Sequence, residues 1–394
     1  MEGVKKMGSR LWGVLKKLLR IKAARGYYLK DVFHKKQAKR ALLCYVTIPF
    51  RNKIQYKHTN QIECYTLANV LDELGFAVDV IDYDHTKVAI AYESYDLLIG
   101  FGNVLEKAFK HISLAKTKTI YYGTGNHYFF VNAASLERIR EMYERSGHVM
   151  WRSARYSEYT WSFQTTLVDG MIVLGNEFTA DTFRKYYRRG MVFPIPASFH
   201  KTVVPKLEEK DFEQAKTHFL WFGSNGALHK GLDLLLDIFK DQTTWTLHVC
   251  GANPWEKEFF EYYQEALANS PAIVHHGFVD IHSSAFSEIL HRCACVIFPS
   301  ASEGGCASVV TAMGNGGLIP IVSKSCGLDV EELGWIFDRL DIESIRICIE
   351  KVVSLPEAQL RERAERTYSS VNEHHALDGY KKRVEAALRE ILNF

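Results

Sequence analysis

At 394 residues and 47% hydrophobic content, the chain predicts about two globular domains with ordinary cores. Its eight cysteines are scattered without CxxC spacing, which argues against a disulfide framework or a zinc site and favours reduced thiols in the cytoplasm. No apolar stretch is long enough to span a bilayer, and the aromatic residues form no array that would predict nucleic-acid binding.

The net charge of +3 conceals an asymmetry, because residues 1–40 hold 13 Lys or Arg against two acidic residues while the rest of the chain carries −8. Trp12 and Leu15 lie among basic residues, so a helix here has one apolar and one basic face. Lys16 and Lys17 interrupt the apolar run, so we expect neither a signal peptide nor a membrane span. A basic amphipathic helix predicts peripheral binding to an anionic membrane, here the inner face of the cytoplasmic membrane. A partner-binding arm or a solvated tail is the alternative.

Residues 41–200 alternate apolar runs with helical stretches, which predicts a parallel sheet with right-handed crossovers. The predicted strands are 41–50, 76–82, 95–100, 118–123, 170–175 and 192–196, and the predicted helices are 63–75 and 179–187. His58 and Asn60 follow the first strand, at the carboxyl edge where open α/β sheets bind ligands. Residues 200–215 predict a polar linker to the second domain.

In the second half of the chain, two apolar strands each end in a glycine-containing turn that precedes a helix. One spans 218–223 and continues to Lys230, and the other spans 296–305 with a lone carboxylate at Glu303. Glycines let a ligand approach the backbone, and the N–H groups at a helix start favour an anion. A carboxylate beside an anion site suits sugar hydroxyls better than phosphate, so a sugar nucleotide is the predicted ligand.

Together these segments resemble the C-terminal half of the group 1 (family 4) glycosyltransferases, which are retaining enzymes with the GT-B fold. The intervening runs that agree in order are Thr246–Gly251, His276–Asp280 and Phe286–Cys293. The resemblance covers 218 to about 375 and implies two Rossmann-like parallel-sheet domains that face a cleft. The donor domain is then 216–376, and the acceptor domain is 41–200 with the last helix, 377–394, which follows a connection near 372–375.

The resemblance implies a donor site built from the two glycine turns. Lys230 is implied to bind the donor diphosphate and stabilise the leaving group, Glu303 to face the donor sugar, and His127 to lie near that sugar. The other implied donor-binding residues are Gly223, Ser224, Gly251, Phe278, Val279, Gly304, Gly305, Ser308 and Thr311. His58 and Asn60 are the candidate acceptor-binding residues.

Two positions depart from the family pattern. The family has an arginine after the turn glycine, where this chain has Ser224, and a second glutamate where this chain has Thr311. Lys230 is then the main cation that can be named, and a neutral hydrogen bond to the ribose replaces a stronger charge-assisted one. Asp82 and Asp84 have the spacing of a metal-binding motif, but further ligands are not evident, so neither a metal nor another cofactor is expected.

The resemblance implies a retaining enzyme that moves a hexose-type sugar from a nucleotide sugar to a hydroxyl of a glycan, and the basic N-terminal segment suggests a lipid-linked saccharide acceptor in surface-polysaccharide assembly. A nucleotide-sugar epimerase of the same fold would share the donor site but act without an acceptor. A catalytically inactive scaffold is favoured by Ser224 and Thr311 and disfavoured by Lys230 and Glu303. A dinucleotide oxidoreductase is least supported, because Pro49, Phe50 and Arg51 stand at the end of the first strand in place of GxGxxG.

Overall fold

The computed structural model describes residues 27–51, 59–157, 162–251 and 255–393. Two sheets of mainly parallel strands with helical connections form two Rossmann-like domains, which confirms the predicted fold class. No helix in the described residues is long and apolar enough to cross a membrane.

The N-terminal domain is built on one sheet. Its strands are β1 (Tyr28–Leu29), β2 (Lys39–Tyr45), β3 (Phe76–Asp82), β4 (Leu97–Gly100), β5 (Lys118–Gly123), β6 (Gly170–Leu174) and β7 (Val192–Ile195). The helices are α1 (Ile48–Arg51), α2 (Thr59–Glu73), α3 (Gly102–Ala108), α4 (Tyr128–Ser146) and α5 (Glu177–Arg184). The strand order is β1-β3-β2-β4-β5-β6-β7, and only the β1–β3 pair is antiparallel among the described strands. The order reverses between β2 and β4.

The C-terminal domain is built on a second sheet. Its strands are β8 (His218–Phe222), β9 (Thr246–Cys250), β10 (Ile273–Gly277), β11 (Cys295–Phe298), β12 (Ile319–Val322) and β13 (Trp335–Ile336). The helices from here to the end of the chain are α6 (Phe212–Ala215), α7 (Leu232–Phe239), α8 (Lys257–Tyr262), α9 (Gln264–Asn269), α10 (Ser284–Arg292), α11 (Ala307–Gly316), α12 (Ile342–Val353), α13 (Glu357–His374) and α14 (Leu377–Leu392). The strand order is β10-β9-β8-β11-β12-β13, all parallel within the described residues, and it reverses between β8 and β11.

The last helix, α14, lies on the N-terminal sheet. Tyr380 and Leu388 are buried in the same core cluster as α2 and the central strands. The hydroxyl groups of Tyr380 and Tyr122 on β5 are 2.7 Å apart. A Cβ atom on Gly170 would lie only 2.7 Å from the side chain of Ile391, so the start of β6 and this helix are in close contact.

Helix α4 follows a strand of the N-terminal sheet but packs on the C-terminal domain. Its residues Ile139 and Met142 belong to the C-terminal core. The buried guanidinium of Arg138 donates to both carboxylate oxygens of Asp233 on α7, at 2.7 and 2.6 Å, and Arg145 also pairs with Asp233. Since a buried carboxylate requires partners, this ion cluster holds α4 against the second domain.

The first predicted strand is wrong at its end. It stops at Tyr45, not residue 50, because the Thr47 amide donates to the Asp82 carboxylate at 2.6 Å and the chain turns into α1. Residues 27–40 of the predicted basic segment are not helical, since they form β1 and the start of β2, where Arg40 pairs with Asp79 at 2.8 Å. The predicted amphipathic helix in 1–26 lies outside the described residues.

The predicted polar linker at 200–215 is also different in the structure. Leu207 and Phe212 are buried in the C-terminal core, and the Lys210 ammonium is buried, where it donates to the Leu290 carbonyl at 2.9 Å. The segment is therefore packed into the C-terminal domain and is not a polar linker. The predicted connection near 372–375 is mostly helical, because α13 continues to His374.

Arg138→Met should lower the free energy of unfolding by about 3 kcal/mol, because it removes a partner from the buried Asp233 carboxylate. Urea denaturation followed by circular dichroism measures this change. Arg140→Met is the matched control, since Arg140 lies on the same helix and pairs only with the exposed Glu137 and Glu144. Equal losses in both variants would contradict a special role for the buried pair.

Candidate active site

A cavity of about 780 Å³ lies between the two domains, at the carboxyl ends of the strands where both sheets reverse their order. Tyr45 at the end of β2 and Phe101 after β4 line it from the N-terminal side. Phe222 at the end of β8 and Glu303 after β11 line it from the C-terminal side. Its volume is that of a small-molecule site, and its position is where open α/β sheets bind ligands.

Most of the predicted site residues meet in this cavity. Those that line it are Gly223, Ser224, Lys230, Gly251, Phe278, Val279, Glu303, Gly304, Ser308 and Thr311, with Asn60 from the predicted acceptor side. Gly305 and His127 are not among its described lining residues, and His58 lies outside the described residues. Phe278 is 77% exposed, so its ring is open to an approaching ligand.

An ion pair lies in the wall of this cavity. The Lys230 ammonium is 2.5 Å from one carboxylate oxygen of Glu303, which also accepts a hydrogen bond from the Ser300 hydroxyl at 3.2 Å. Burial opposes the ionisation of Glu303, but the charges of Lys230 and Arg155 outweigh it and lower the pKa of Glu303 to about 2. Glu303 is therefore a carboxylate at neutral pH and can accept hydrogen bonds from hydroxyl groups.

The turn that carries Lys230 is held in shape by a residue from a later loop. The buried carboxylate of Glu256 accepts hydrogen bonds from the amides of Gly226 and Ala227, at 2.6 and 2.8 Å. The Lys230 amide then donates to the Gly226 carbonyl at 2.8 Å. Bonds from amides to a buried carboxylate are strong, so the turn is formed before a ligand arrives. No motif in the sequence indicated Glu256.

His229 joins three segments around the site. One ring nitrogen lies 2.8 Å from the carbonyl of Ser302, and the other lies 3.0 Å from the hydroxyl of Ser135 on α4. Burial, aided by the charge of Arg155, lowers the pKa of His229 to about 4, so the imidazole is neutral at pH 7. Helix α4 is thereby fixed to both glycine turns that border the cavity.

Arg155, a residue without a sequence motif, is a second cation of the site. It follows α4 in the chain and lines the cavity, and its guanidinium is 3.6 Å from the Glu303 carboxylate. Its side-chain carbons pack on Gly226, where a Cβ atom would approach to 2.8 Å. Half of the side chain remains exposed, so the guanidinium can reach a ligand in the cavity.

His127, predicted to lie near a donor sugar, has another place in the structure. Its Nδ1 atom accepts a hydrogen bond from the Phe129 amide at 3.2 Å and caps α4. The ring is buried and stacks on Tyr186 at 4.6 Å, and this burial lowers its pKa to about 4. Thr124, three residues earlier, lines the cavity instead. The structure thus assigns His127 to packing and capping.

Helix α11 begins at the cavity. Ala307 and Ser308 in its first turn are lining residues, and first-turn amides lack acceptors within their own helix. Such amides favour an anion. The Thr311 hydroxyl donates to the Ala307 carbonyl at 2.7 Å, so its lone pairs remain for a ligand that donates a hydrogen bond.

The two glycines before α11 bring the domains into contact. A Cβ atom on Gly304 would lie 2.5 Å from the carbonyl oxygen of Thr124. Gly305 has φ +66°, and a Cβ atom there would lie 2.9 Å from the Cβ of Ala197. Gly304 therefore borders the cavity, whereas Gly305 belongs to the contact behind it.

The predicted metal-like motif has a structural role at one of its two aspartates. Asp82 accepts the hydrogen bond from the Thr47 amide that shapes the turn after β2. Within the described parts of the chain, no group of three His, Cys, Asp or Glu residues is placed to hold a metal ion.

Residues 204–368 match the family model described as Glycosyl transferases group 1. Comparison with curated proteins finds no match. Among solved structures, sucrose-phosphate synthase from Thermosynechococcus elongatus is similar with a TM-score of 0.60 and 13% identity, over 90% of this chain and 99% of that one. Anabaena HepE in complex with UDP and glucose is similar with a TM-score of 0.56 and 12% identity, over 89% and 100%.

A TarM variant from S. aureus, in complex with Fondaparinux, alpha-GlcNAc-glycerol and UDP, is similar with a TM-score of 0.50 and 14% identity. That similarity covers 76% of this chain and 55% of the TarM chain. At these identities the similarities establish the fold, which is of the GT-B type predicted from the sequence.

Proposed function

Because residues 204–368 match the family model of the group 1 glycosyltransferases, we propose that this protein transfers a sugar from a nucleoside diphosphate sugar to an acceptor hydroxyl. The observation that carries the proposal is the pairing of Lys230 with Glu303 in a cavity between two domains. A cation suited to a diphosphate and a carboxylate suited to sugar hydroxyls lie side by side. The family resemblance supports a hexose as the transferred sugar and retention at the anomeric carbon.

In this proposal, Lys230, Arg155 and the first turn of α11 bind the diphosphate and stabilise the charge that develops on it as the sugar leaves. Arg155 provides the second cation that the turn at Ser224 lacks. Glu303 accepts a hydrogen bond from a hydroxyl of the donor sugar and so fixes the orientation of the sugar ring. The Thr311 hydroxyl oxygen accepts a hydrogen bond from a ribose hydroxyl. Phe278 and Val279 lie beside the nucleotide base.

The N-terminal side of the cavity takes the acceptor, for which we propose a glycan or lipid-linked saccharide used in surface-polysaccharide assembly. The basic residues of 1–26, which alternate with apolar ones in the sequence, support a location at the inner face of the cytoplasmic membrane. Nucleotide release that depends on added acceptor distinguishes transfer from epimerisation, because an epimerase returns its nucleotide sugar intact.

Lys230→Ala should lower turnover about 100-fold, because one preorganised electrostatic contact contributes on that scale.

Arg155→Met should raise the Kd of UDP about tenfold, since it removes a charge-assisted contact. UDP is the nucleotide to titrate first because it is the ligand named for two of the structural neighbours. Isothermal titration measures the Kd, and a nucleotide-release assay measures turnover.

The matched control is Arg152→Met. Arg152 is exposed, lies 3.9 Å from Glu258 and is not a lining residue of the cavity, so the Kd should not change. Equal effects of the Arg152 and Arg155 variants, or wild-type turnover in folded Lys230→Ala, would remove these cations from the mechanism.

We also propose that transfer needs no metal ion, because Lys230 and Arg155 supply the positive charge that a diphosphate leaving group requires. Turnover should therefore persist in excess EDTA. The measurement is the nucleotide-release rate before and after chelation. Activity that disappears and returns only with Mg²⁺ or Mn²⁺ would contradict the proposal.

Deletion of residues 1–26 should abolish binding to anionic vesicles, because this segment combines most of the excess basic charge with apolar residues. Full-length protein should bind anionic vesicles better than neutral ones, and salt should release it only in part, since salt screens charge but not apolar insertion. Co-sedimentation measures binding. UDP affinity should persist in the deletion variant, because the cut precedes β1. If full-length protein does not bind anionic vesicles at low salt, the proposed membrane location is wrong.

A further inference from the structure

The N-terminal wall of the cavity contains an acidic residue that sequence analysis did not identify. The wall is formed by the ends of β2 and β4 and by the first turns of α2. Its lining residues include Tyr45, Asn60, Glu63, Tyr83 and Phe101. This wall faces the turns that carry Lys230 and Glu303, so a group bound here lies across the cavity from the proposed donor.

Glu63 has an incomplete set of hydrogen bonds. The residue is 2% exposed, and the hydroxyl of Tyr45 donates to its Oε2 atom at 3.1 Å. Its Oε1 atom is buried and has no hydrogen-bond partner among the described residues. A buried carboxyl oxygen without a partner is unfavourable, so a ligand that donates a hydrogen bond to it would be stabilised there.

Aromatic rings lie beside this carboxyl group. The rings of Tyr83 and Phe101 are 4.8 Å apart, and the Tyr45 ring is 5.2 Å from Phe101. Tyr83 is 37% exposed and lines the cavity. A wall of aromatic rings beside a buried carboxyl acceptor fits a pyranose, which has C–H groups on its faces and hydroxyls at its rim. An anionic group would be repelled by the Glu63 carboxylate.

We propose that Glu63 accepts a hydrogen bond from an acceptor hydroxyl, and that the acceptor presents a neutral sugar ring to the wall formed by Tyr83 and Phe101. The assignment rests on the proposed transfer reaction for its biological meaning. It makes Glu63 an acceptor-binding residue that determines specificity, with Tyr45 positioning its carboxyl group.

The charge of Glu63 changes in the neutral pH range. Burial raises its pKa to about 7, while the hydrogen bond from Tyr45 acts in the opposite direction. Among the described residues, the titratable groups packed around it are Tyr45, Cys64, Tyr122 and Tyr380, whose pKa values burial also raises, so they stay neutral near pH 7. The carboxylate form of Glu63 accepts a hydrogen bond from a sugar hydroxyl more strongly than the carboxylic acid form does. The affinity for the sugar therefore rises as the pH increases through about 7.

Saccharide binding measured by isothermal titration tests the assignment. Methyl glycosides of glucose, galactose, mannose and N-acetylglucosamine are titrated into full-length protein at pH 6 and pH 8, with and without saturating UDP. At least one glycoside should bind, more tightly at pH 8. Glu63→Gln should weaken binding about tenfold or more at pH 8 and remove the pH dependence. Glu73→Gln, an exposed change on the same helix, should do neither.

Wild-type affinity and pH dependence in Glu63→Gln would overturn the assignment, as would the absence of glycoside binding in the wild type. If Glu63→Gln does not fold, equal wild-type affinity at pH 6 and pH 8 overturns it, and weaker binding by Tyr83→Ala supports it. Failure of UDP to bind would instead overturn the proposed donor. The titrations without UDP keep that failure separate from the role of Glu63.

Discussion

The buried ion pair between Arg138 and Asp233 is the contact on which the geometry of the cleft depends. It attaches α4, which leaves the N-terminal sheet, to α7, which follows the turn that carries Lys230. Helix α4 also brings Ser135 to His229, and the segment that follows the helix places Arg155 beside the cavity. The wall that carries Lys230 and Arg155 thus comes from both halves of the sequence, although all of it packs on the C-terminal domain.

Local sequence patterns were sufficient to predict part of this arrangement. Lys230 and Glu303 each lie in a glycine-containing turn after an apolar strand, and such a turn must open at the carboxyl edge of a sheet. Arg155, Glu256 and Glu63 have no such marker, because their positions follow from contacts between segments far apart in the chain. The two-sheet fold was predictable for the same reason as the turns, since alternating strands and helices are a local signal.

Two differences between the expected and the observed structure also have physical causes. His127 was of a residue type suited to a sugar site, but the start of α4 required a cap and the surrounding rings buried it. The first strand contains apolar residues as far as Phe50, yet the Asp82 carboxylate captures the Thr47 amide and ends the pairing. In both cases a distant segment contributes, through the Asp82 carboxylate at the strand and through the rings of Phe183 and Tyr186 that pack on His127.

The contact behind the cavity has a consequence for the spacing of its two walls. At Gly175, Gly304 and Gly305 the domains meet through backbone, and Ala197 adds only a methyl group. A Cβ atom on Gly304 would come within 2.5 Å of the carbonyl oxygen of Thr124, so a larger residue there would force the two backbones apart. The absence of a side chain at this glycine therefore determines how closely the C-terminal wall of the cavity can approach the N-terminal wall.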